Sequence, residues 1–372
     1  MPLIALDARL TRQMSVGMKV YVRELVARLP RLAPDLQFII FSNESLSIDS
    51  ANASLAVVSE FTAGNGAVGE QLLYPQQLNH RRPDLIHFMS VYAPRFSRGR
   101  HVFTIHDLIH LRFPQYFSWK VPLYYRHVAG PVARSSRAVI TDAAATVSDL
   151  GEFLGVHPSR ARVIPLGVSE KFVLGDGERT ARAERIRNRF SIERPYFLYA
   201  GNHRPHKNVQ TLYYAWHRFV QQPCDLVITE DPSRERPSDV SERQQWADKA
   251  GGKVHLTRHV DVDDLISLYA GCVASVQPSL YEGFGLSVLE SMASGAPAVV
   301  ARTPALLEIG ADAVTSFPPT DAAALGTIMA KLLTDAGLAR LLREAGRQRA
   351  AMFTWDATAR ATADVYREAL MT

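Results

Sequence analysis

The sequence predicts an α/β protein made of two doubly wound parallel-sheet domains. Three observations carry that reading. The chain has 372 residues, 47% of them apolar, which is enough for two cores of ordinary domain size. Short apolar runs alternate with helix-period stretches in two successive series, the pattern of parallel sheets covered on both faces. In the second series a glycine-rich turn, Glu282-Gly283-Phe284-Gly285, ends one such run and opens a helix.

In the first series Leu3–Leu6 is expected as a strand and Val20–Leu29 has helical spacing. Phe38–Phe41, Ala56–Val58, Leu85–Phe88 and Val102–Ile105 read as strands, with shorter ones at Val139-Ile140 and Val163-Ile164. Residues 173–194 are charged and poor in apolar side chains, so they read as a connection between domains, helical in part. The second series starts at Tyr196–Ala200 and continues through Leu226–Ile228, Val254–Leu256, Val273–Val276 and Ala298–Val300. The helix expected over 285–294 is closed by Gly295 and Pro297. Residues 321–351 look helical, and Thr354 or Asp356 is placed to cap a last helix. The expected domains are 1–175, a connection over 176–194, a second domain over 195–355, and a final helix over 356–372. Two such sheets place a cleft between the carboxyl ends of their strands.

Composition excludes several classes. Cys224 and Cys272 each lie in an apolar stretch with no partner at metal-ligand spacing, so buried thiols in a reducing compartment are expected. Residues 1–10 read as a strand and not as a signal peptide, and no apolar run is long enough to span a membrane. The location expected is cytoplasmic. The net charge of +5 is uneven. The first 175 residues carry 19 Lys and Arg against 13 Asp and Glu, and the remainder 23 against 24. A basic first half suits an anionic acceptor or surface. No zinc spacing, aromatic RNA-binding signature or basic helix points to nucleic acid. Asp261-Val-Asp263 has the spelling of a metal motif, but it precedes a helix and reads as a cap.

The chemistry-bearing residues sit at the expected strand ends. Glu282–Gly285 falls where free N–H groups and the helix dipole favour a phosphate, and the glycines admit close approach. Glu290 follows eight positions after Glu282, about two turns along the helix. Tyr199-Ala-Gly201-Asn-His-Arg204-Pro-His-Lys207-Asn208 also ends a strand and opens a helix. A glycine turn followed by Lys207 suits a diphosphate. His106-Asp107 stands at the end of a first-domain strand. Asp7-Ala-Arg9 and Gly17-Met-Lys19-Val-Tyr21 flank the first strand-to-helix loop. Pro114–His127 mixes aromatics with cations, a pattern suited to an anionic bilayer surface and equally to ordinary packing.

The run from Pro278 to Glu290 resembles the Glu-x7-Glu motif of the GT4 family of retaining glycosyltransferases, which have the GT-B fold. The likeness extends from Asp7 to Trp355. Gly201–Asn208 is similar to the Gly-x-x-x-Pro-Arg-Lys-Asn element of a mannosyltransferase-like branch, and His106-Asp107-Leu108 with Pro114 fits the family's His-Asp pattern. The resemblance implies two Rossmann-like domains with an interdomain cleft, the first binding the acceptor and the second the nucleotide sugar. By the same resemblance Glu282 and His106 contact the transferred sugar, with Lys207 and Arg204 at the leaving diphosphate. Gly201, Gly283, Phe284, Gly285 and Leu286 line the donor site, and Glu290 holds the ribose. Asp7, Arg9, Gly17 and Lys19 form an acceptor or phosphate loop. Neither a resident metal nor a cofactor is implied. GDP-mannose leads as donor, with a UDP-sugar as alternative. The acceptor expected is a saccharide or lipid-linked saccharide of bacterial polysaccharide or lipopolysaccharide assembly, met at the inner face of an anionic membrane.

Three departures stand out. His206 takes the place of the family's Arg, two positions after Arg204. Lys19 replaces a glycine, and Ala143-Ala144 replace a Ser-Glu pair beside Asp142. These motivate a second function class, a nucleotide-sugar-binding partner that has lost transfer. The motifs do not support a GT-B phosphorylase or epimerase.

Overall fold

The computed structural model describes residues 1–9, 14–44, 46, 50–58, 68–229, 252–257 and 260–371. They form two compact units, one of Met1–Gly167 with Phe353–Thr372 and the other of Val168–Met352.

The first unit holds a seven-stranded parallel sheet in the order β3-β2-β1-β4-β5-β6-β7. Its strands are β1 (Leu3–Asp7), β2 (Gln37–Ser42), β3 (Ala53–Val57), β4 (Leu85–Phe88), β5 (His101–Thr104), β6 (Ala138–Thr141) and β7 (Ala161–Val163). The central strands are buried along their whole length, as a sheet covered on both faces requires. Helix α1 (Val16–Leu32) is capped by Ser15, whose Oγ accepts from the Met18 amide. Helix α2 (Ala144–Leu154) ends on Gly155 in the left-handed region.

The last helix of the chain returns to this unit and packs on α1, β4 and β5. Thr354 caps it, accepting from the Ala357 amide, while Asp356 is taken by Arg28 and Arg31 of α1. Gly167 permits the close approach at its start. A Cβ there would lie 2.2 Å from the Trp355 nitrogen.

The second unit holds a six-stranded parallel sheet in the order β10-β9-β8-β11-β12-β13. Its strands are β8 (Tyr196–Ala200), β9 (Asp225–Thr229), β10 (Val254–Leu256), β11 (Ala274–Gln277), β12 (Ala298–Ala301) and β13 (Val314–Phe317). The order reverses between β8 and β11.

The segment 176–194, expected as a connection, is mostly helix α3 (Asp176–Phe190) of this second unit. It looked like a linker because Ile186 is its one buried residue. It docks on helix α5 (Val262–Gly271) through charge: Arg182 and Arg185 reach Asp263, and Arg189 reaches Asp264. Helix α4 (Val209–Phe219) lies between α3 and α5 in chain order. The helical stretch expected over 321–351 is made of two helices, α7 (Ala322–Thr334) and α8 (Ala336–Ala350), with Asp335 between them capping α8 through the Leu338 amide. Helix α6 (Leu286–Ala293) and the last helix, α9 (Trp355–Met371), complete the set used below.

Candidate active site

In the second unit the loops after β8 and β11 leave adjacent strands at the point where strand order reverses. In open α/β sheets that is where ligands bind, beyond the carboxyl ends of the strands. Lys207 lies in the first loop and Glu282 in the second. The Lys207 Nζ stands 2.7 and 2.8 Å from the two Glu282 carboxylate oxygens. The Ser279 hydroxyl and the Gln277 amide also donate to Glu282 Oε1, at 2.7 and 2.8 Å. Burial pushes this carboxyl up. The Lys207 ammonium and the two neutral donors outweigh it and hold Glu282 below the usual carboxylate range.

The two loops are tied together by Asn208. It adopts the left-handed region that Asn tolerates, and its amide donates to the Pro278 and Pro319 carbonyls at 3.1 and 2.8 Å. The Leu280 amide donates to the His206 carbonyl at 2.8 Å. Gln277, Ser279 and Asn208 hold this arrangement in place and were not among the expected site residues. Asn208 alone carried a signal, its place in the Gly201–Asn208 motif directly after the lysine.

Helix α6 begins where φ at Gly285 is +112°, and a Cβ there would meet Leu306 Cδ2 at 2.9 Å. This turn needs glycine. Gly283 is half-buried, and the Phe284 side chain points into the core, so what this turn offers a ligand is backbone. Leu286 and Glu290 follow on α6. The Glu290 carboxyl has no hydrogen bond or ion pair among the described residues, and burial pushes it up to about 8. Gly201 is half-buried in the loop after β8, Arg204 is exposed, and His206 is buried.

The first unit brings together a second pair. His106 follows β5 and Asp142 follows its neighbour β6, so parallel register sets them side by side. The His106 Nδ1 lies 2.7 Å from Asp142 Oδ2. A carboxylate there accepts a hydrogen bond from Nδ1–H and leaves Nε2 with its lone pair in the neutral ring. That Nε2 is buried and makes no hydrogen bond. Burial disfavours the imidazolium. Asp142 outweighs it, with Asp107 and the Met89 carbonyl adding, and the His106 pKa is raised. Asp107 itself caps the following turn through the Ile109 amide. Asp142 thus supplies a carboxylate beside the position where Ala143-Ala144 depart from the family pattern.

The residues expected in an acceptor or phosphate loop fall at the end of β1 and in the first turn of α1. Asp7 and Arg9 form a buried bidentate pair, 2.7 Å on each side. Arg9 also reaches Glu70 at 3.1 Å and the Tyr92 carbonyl at 2.9 Å, and its guanidinium lies 3.9 Å over the Tyr74 ring. This cluster anchors the end of β1 from inside the unit. Gly17 and Lys19 are not in a loop but in the first turn of α1. Lys19 has helical backbone and donates to the Ser15 carbonyl, so its position demands no glycine.

Asp261 caps α5, accepting from the Asp264 amide at 2.8 Å. Asp263 is engaged by Arg182 and Arg185. Both cysteines are free and buried.

A family model described as Glycosyl transferases group 1 matches residues 181–349, and one described as Glycosyltransferase Family 4 matches residues 16–172. An MMP alpha-(1->4)-mannosyltransferase of Mycolicibacterium hassiacum is 30% identical over 262 residues, 68% of this chain and 60% of the relative. The serotype-specific mannosyltransferase WbdA of Escherichia coli is 26% identical over 225 residues, 60% of this chain and 28% of the relative. The matched region therefore spans less than two thirds of either relative. Among solved structures, HepE of Anabaena in complex with UDP-glucose superposes with a TM-score of 0.76 at 16% identity, over 99% of both chains. Both sheets agree with these matches, and the chain belongs to the group 1, family 4 glycosyltransferases of the GT-B fold.

Proposed function

We propose that this chain is a retaining hexosyltransferase that moves mannose from GDP-mannose to a hydroxyl of a saccharide or lipid-linked saccharide, in bacterial polysaccharide or lipopolysaccharide assembly. The observation that carries the reading is the meeting of Lys207 and Glu282 at the strand-order reversal of the second sheet, beside a glycine turn that opens a helix. The two mannosyltransferase relatives support mannose as the sugar moved.

In this reaction the bond from the sugar's anomeric carbon to the diphosphate oxygen breaks. A bond to the acceptor oxygen forms on the same face, and the acceptor proton passes to the leaving diphosphate. Retention through a covalent intermediate needs a carboxylate nucleophile about 5 Å from the acid. Glu282 is already engaged by one cation and two neutral donors, which suits orienting a sugar better than attacking it. Lys207 and Arg204 carry the growing charge of the diphosphate, the α6 turn offers backbone N–H groups, and Glu290 takes the ribose hydroxyls. His106 orients the transferred sugar through Nε2. Catalysis then comes from preorganised charge and orientation.

A UDP-sugar is the second reading, favoured by the UDP-glucose bound in HepE. Location at the inner membrane face is part of the proposal. Trp119 is 71% exposed with Lys120 beside its ring, and Tyr116 and Leu123 are exposed nearby. Stronger binding to anionic than to neutral vesicles, falling with salt, tests that part.

The donor is tested by diphosphate release from purified protein with GDP-mannose, UDP-glucose and other nucleotide hexoses, across lipid-linked and free oligosaccharide acceptors. GDP-mannose should turn over fastest. Calorimetric binding of nucleotide sugars with no release from any of them would replace this reading with a binding partner that has lost transfer.

A further inference from the structure

We propose that the last helix, α9, completes the reactive centre of the first unit, with Tyr366, His87, Thr104 and Tyr21 acting in series as positioning residues for His106. The role of His106 rests on the function proposed above, but the positioning does not.

The series is continuous. The Tyr366 hydroxyl lies 2.6 Å from His87 Nδ1, and His87 Nε2 lies 2.7 Å from Thr104 Oγ1. Thr104 Oγ1 lies 3.0 Å from the Tyr21 hydroxyl. The Tyr21 ring then meets the His106 ring edge-on, centroids 4.7 Å apart at 85°. The members come from α9, β4, β5 and α1. All four are essentially inaccessible to solvent.

Such a chain is not what packing alone asks for. A strand buried on both faces is satisfied by Val, Ile or Leu, and His87 occupies such a position in β4. Buried polar groups cost stability unless each finds a partner, and a satisfied network rigidifies its members. Here every side-chain hydroxyl and ring nitrogen of the series has a partner, and the free group is at its far end, the His106 Nε2. The series therefore ends against the His106 ring, whose Nε2 is the group in need of a fixed direction. Asp142 holds the opposite ring nitrogen, so His106 is gripped by an ion-pair partner on one side and an aromatic edge on another.

The two histidines also divide their roles. Burial, with His106 close by, pushes His87 down to about 3, so it stays neutral. The groups facing His106 are Asp142, Asp107, the Met89 carbonyl, His87 and Tyr21. The two carboxylates and the carbonyl favour its charge. A neutral His87 passes hydrogen bonds in either direction without adding a competing cation.

The test uses the full chain with ¹⁵N-labelled histidine. Tyr366→Phe and Tyr21→Phe each remove one hydroxyl and keep the ring, and His87→Gln keeps a polar group. Melting curves establish that each variant folds. The His106 ring-nitrogen resonances and their titration midpoint should move in Tyr366→Phe, although that residue does not touch His106. Tyr21→Phe should move them further. Turnover should fall on the order of tenfold with donor KM nearly unchanged, as expected for loss of orientation, and His87→Gln should retain more activity than His87→Phe. Unchanged His106 resonances and titration in folded Tyr366→Phe and Tyr21→Phe would overturn the proposal. Shifted resonances with unchanged turnover would uphold the positioning and overturn the part given to His106 in sugar transfer.

Discussion

Glu282→Gln and Lys207→Met, alone and together, probe the centre of the candidate donor site. The two side chains are 11% and 18% exposed and make two contacts under 3 Å. Exposed ion pairs contribute about 0.2–1 kcal/mol, and removing one partner of a fully buried pair costs about 3–5 kcal/mol. Exposure this low places the pair nearer the buried limit, at about 2–3 kcal/mol for either single substitution. Glu282→Gln keeps one oxygen for Ser279 or Gln277, so it should be the milder of the two. The double variant leaves no unpaired charge. Its cost should fall short of the summed singles by about 1–2 kcal/mol. At about 2–4 °C per kcal/mol for a unit of this size, each single variant should melt about 4–12 °C lower. The cycle is read by calorimetry on the full chain, following the transition of the second unit. Single costs that add to the double within about 0.5 kcal/mol would refute the coupling, and with it the account of how Lys207 is held for a phosphate. Kinetics give the second arm: Lys207→Met should lower kcat more than it raises donor KM, because leaving-group charge grows toward the transition state. A rise in KM alone would remove the leaving-group role.

Three further outcomes are expected. Glu290, pushed up to about 8 by burial, binds its proton in the folded state at pH values where an ordinary carboxyl near about 4.3 has lost it in the unfolded state. Folding thus takes up a proton between roughly pH 4.5 and 8, and stability falls as pH rises across that window. Glu290→Gln should therefore raise the melting temperature at pH 8 and leave it nearly unchanged at pH 4.5, while weakening nucleotide binding by about 1–3 kcal/mol; an equal shift at both pH values would count against the buried carboxyl. Gly285→Ala should cost about 1–3 kcal/mol, since its φ of +112° is unfavourable to any Cβ and Leu306 stands in the way. Adding Leu306→Ala should not restore stability, and full restoration would show that the backbone angle is not the problem. Sugar transfer should survive EDTA, because Lys207, Arg204 and the α6 turn can carry the diphosphate charge. Loss on chelation, reversed by Mn²⁺ or Mg²⁺, would remove the metal-free part of the mechanism.

Local pattern determined most of the secondary structure. Runs such as Tyr196–Ala200 and Leu85–Phe88 are strands because β-branched, aromatic and aliphatic side chains in a short run suit a sheet covered on both faces. The turn at Gly285 was legible for a similar reason, since its geometry is a property of the glycine itself. Element ends were readable wherever a cap is local, as at Thr354 and Asp261. That helix α3 belongs to the second unit was not legible. The partners of its arginines lie some 75 to 82 positions away.

Side-chain partnership across that distance is what only the tertiary structure decided. The sequence marked Lys207 and Glu282 as chemistry, yet their pairing depends on β8 and β11 being neighbours. It marked Asp7 and Arg9 as ligand-facing, yet Glu70 and Tyr74 enclose them. It marked Asp142 only as the neighbour of the Ala143-Ala144 departure, and the β5–β6 pairing sets it on His106. Tyr366 carried no signal at all, because its hydroxyl acquires meaning only when α9 returns across the first sheet to His87. Periodicity and turn chemistry act over a few residues. Ion pairs and buried hydrogen bonds depend on which strand lies beside which, and strand order is set by packing of the whole unit.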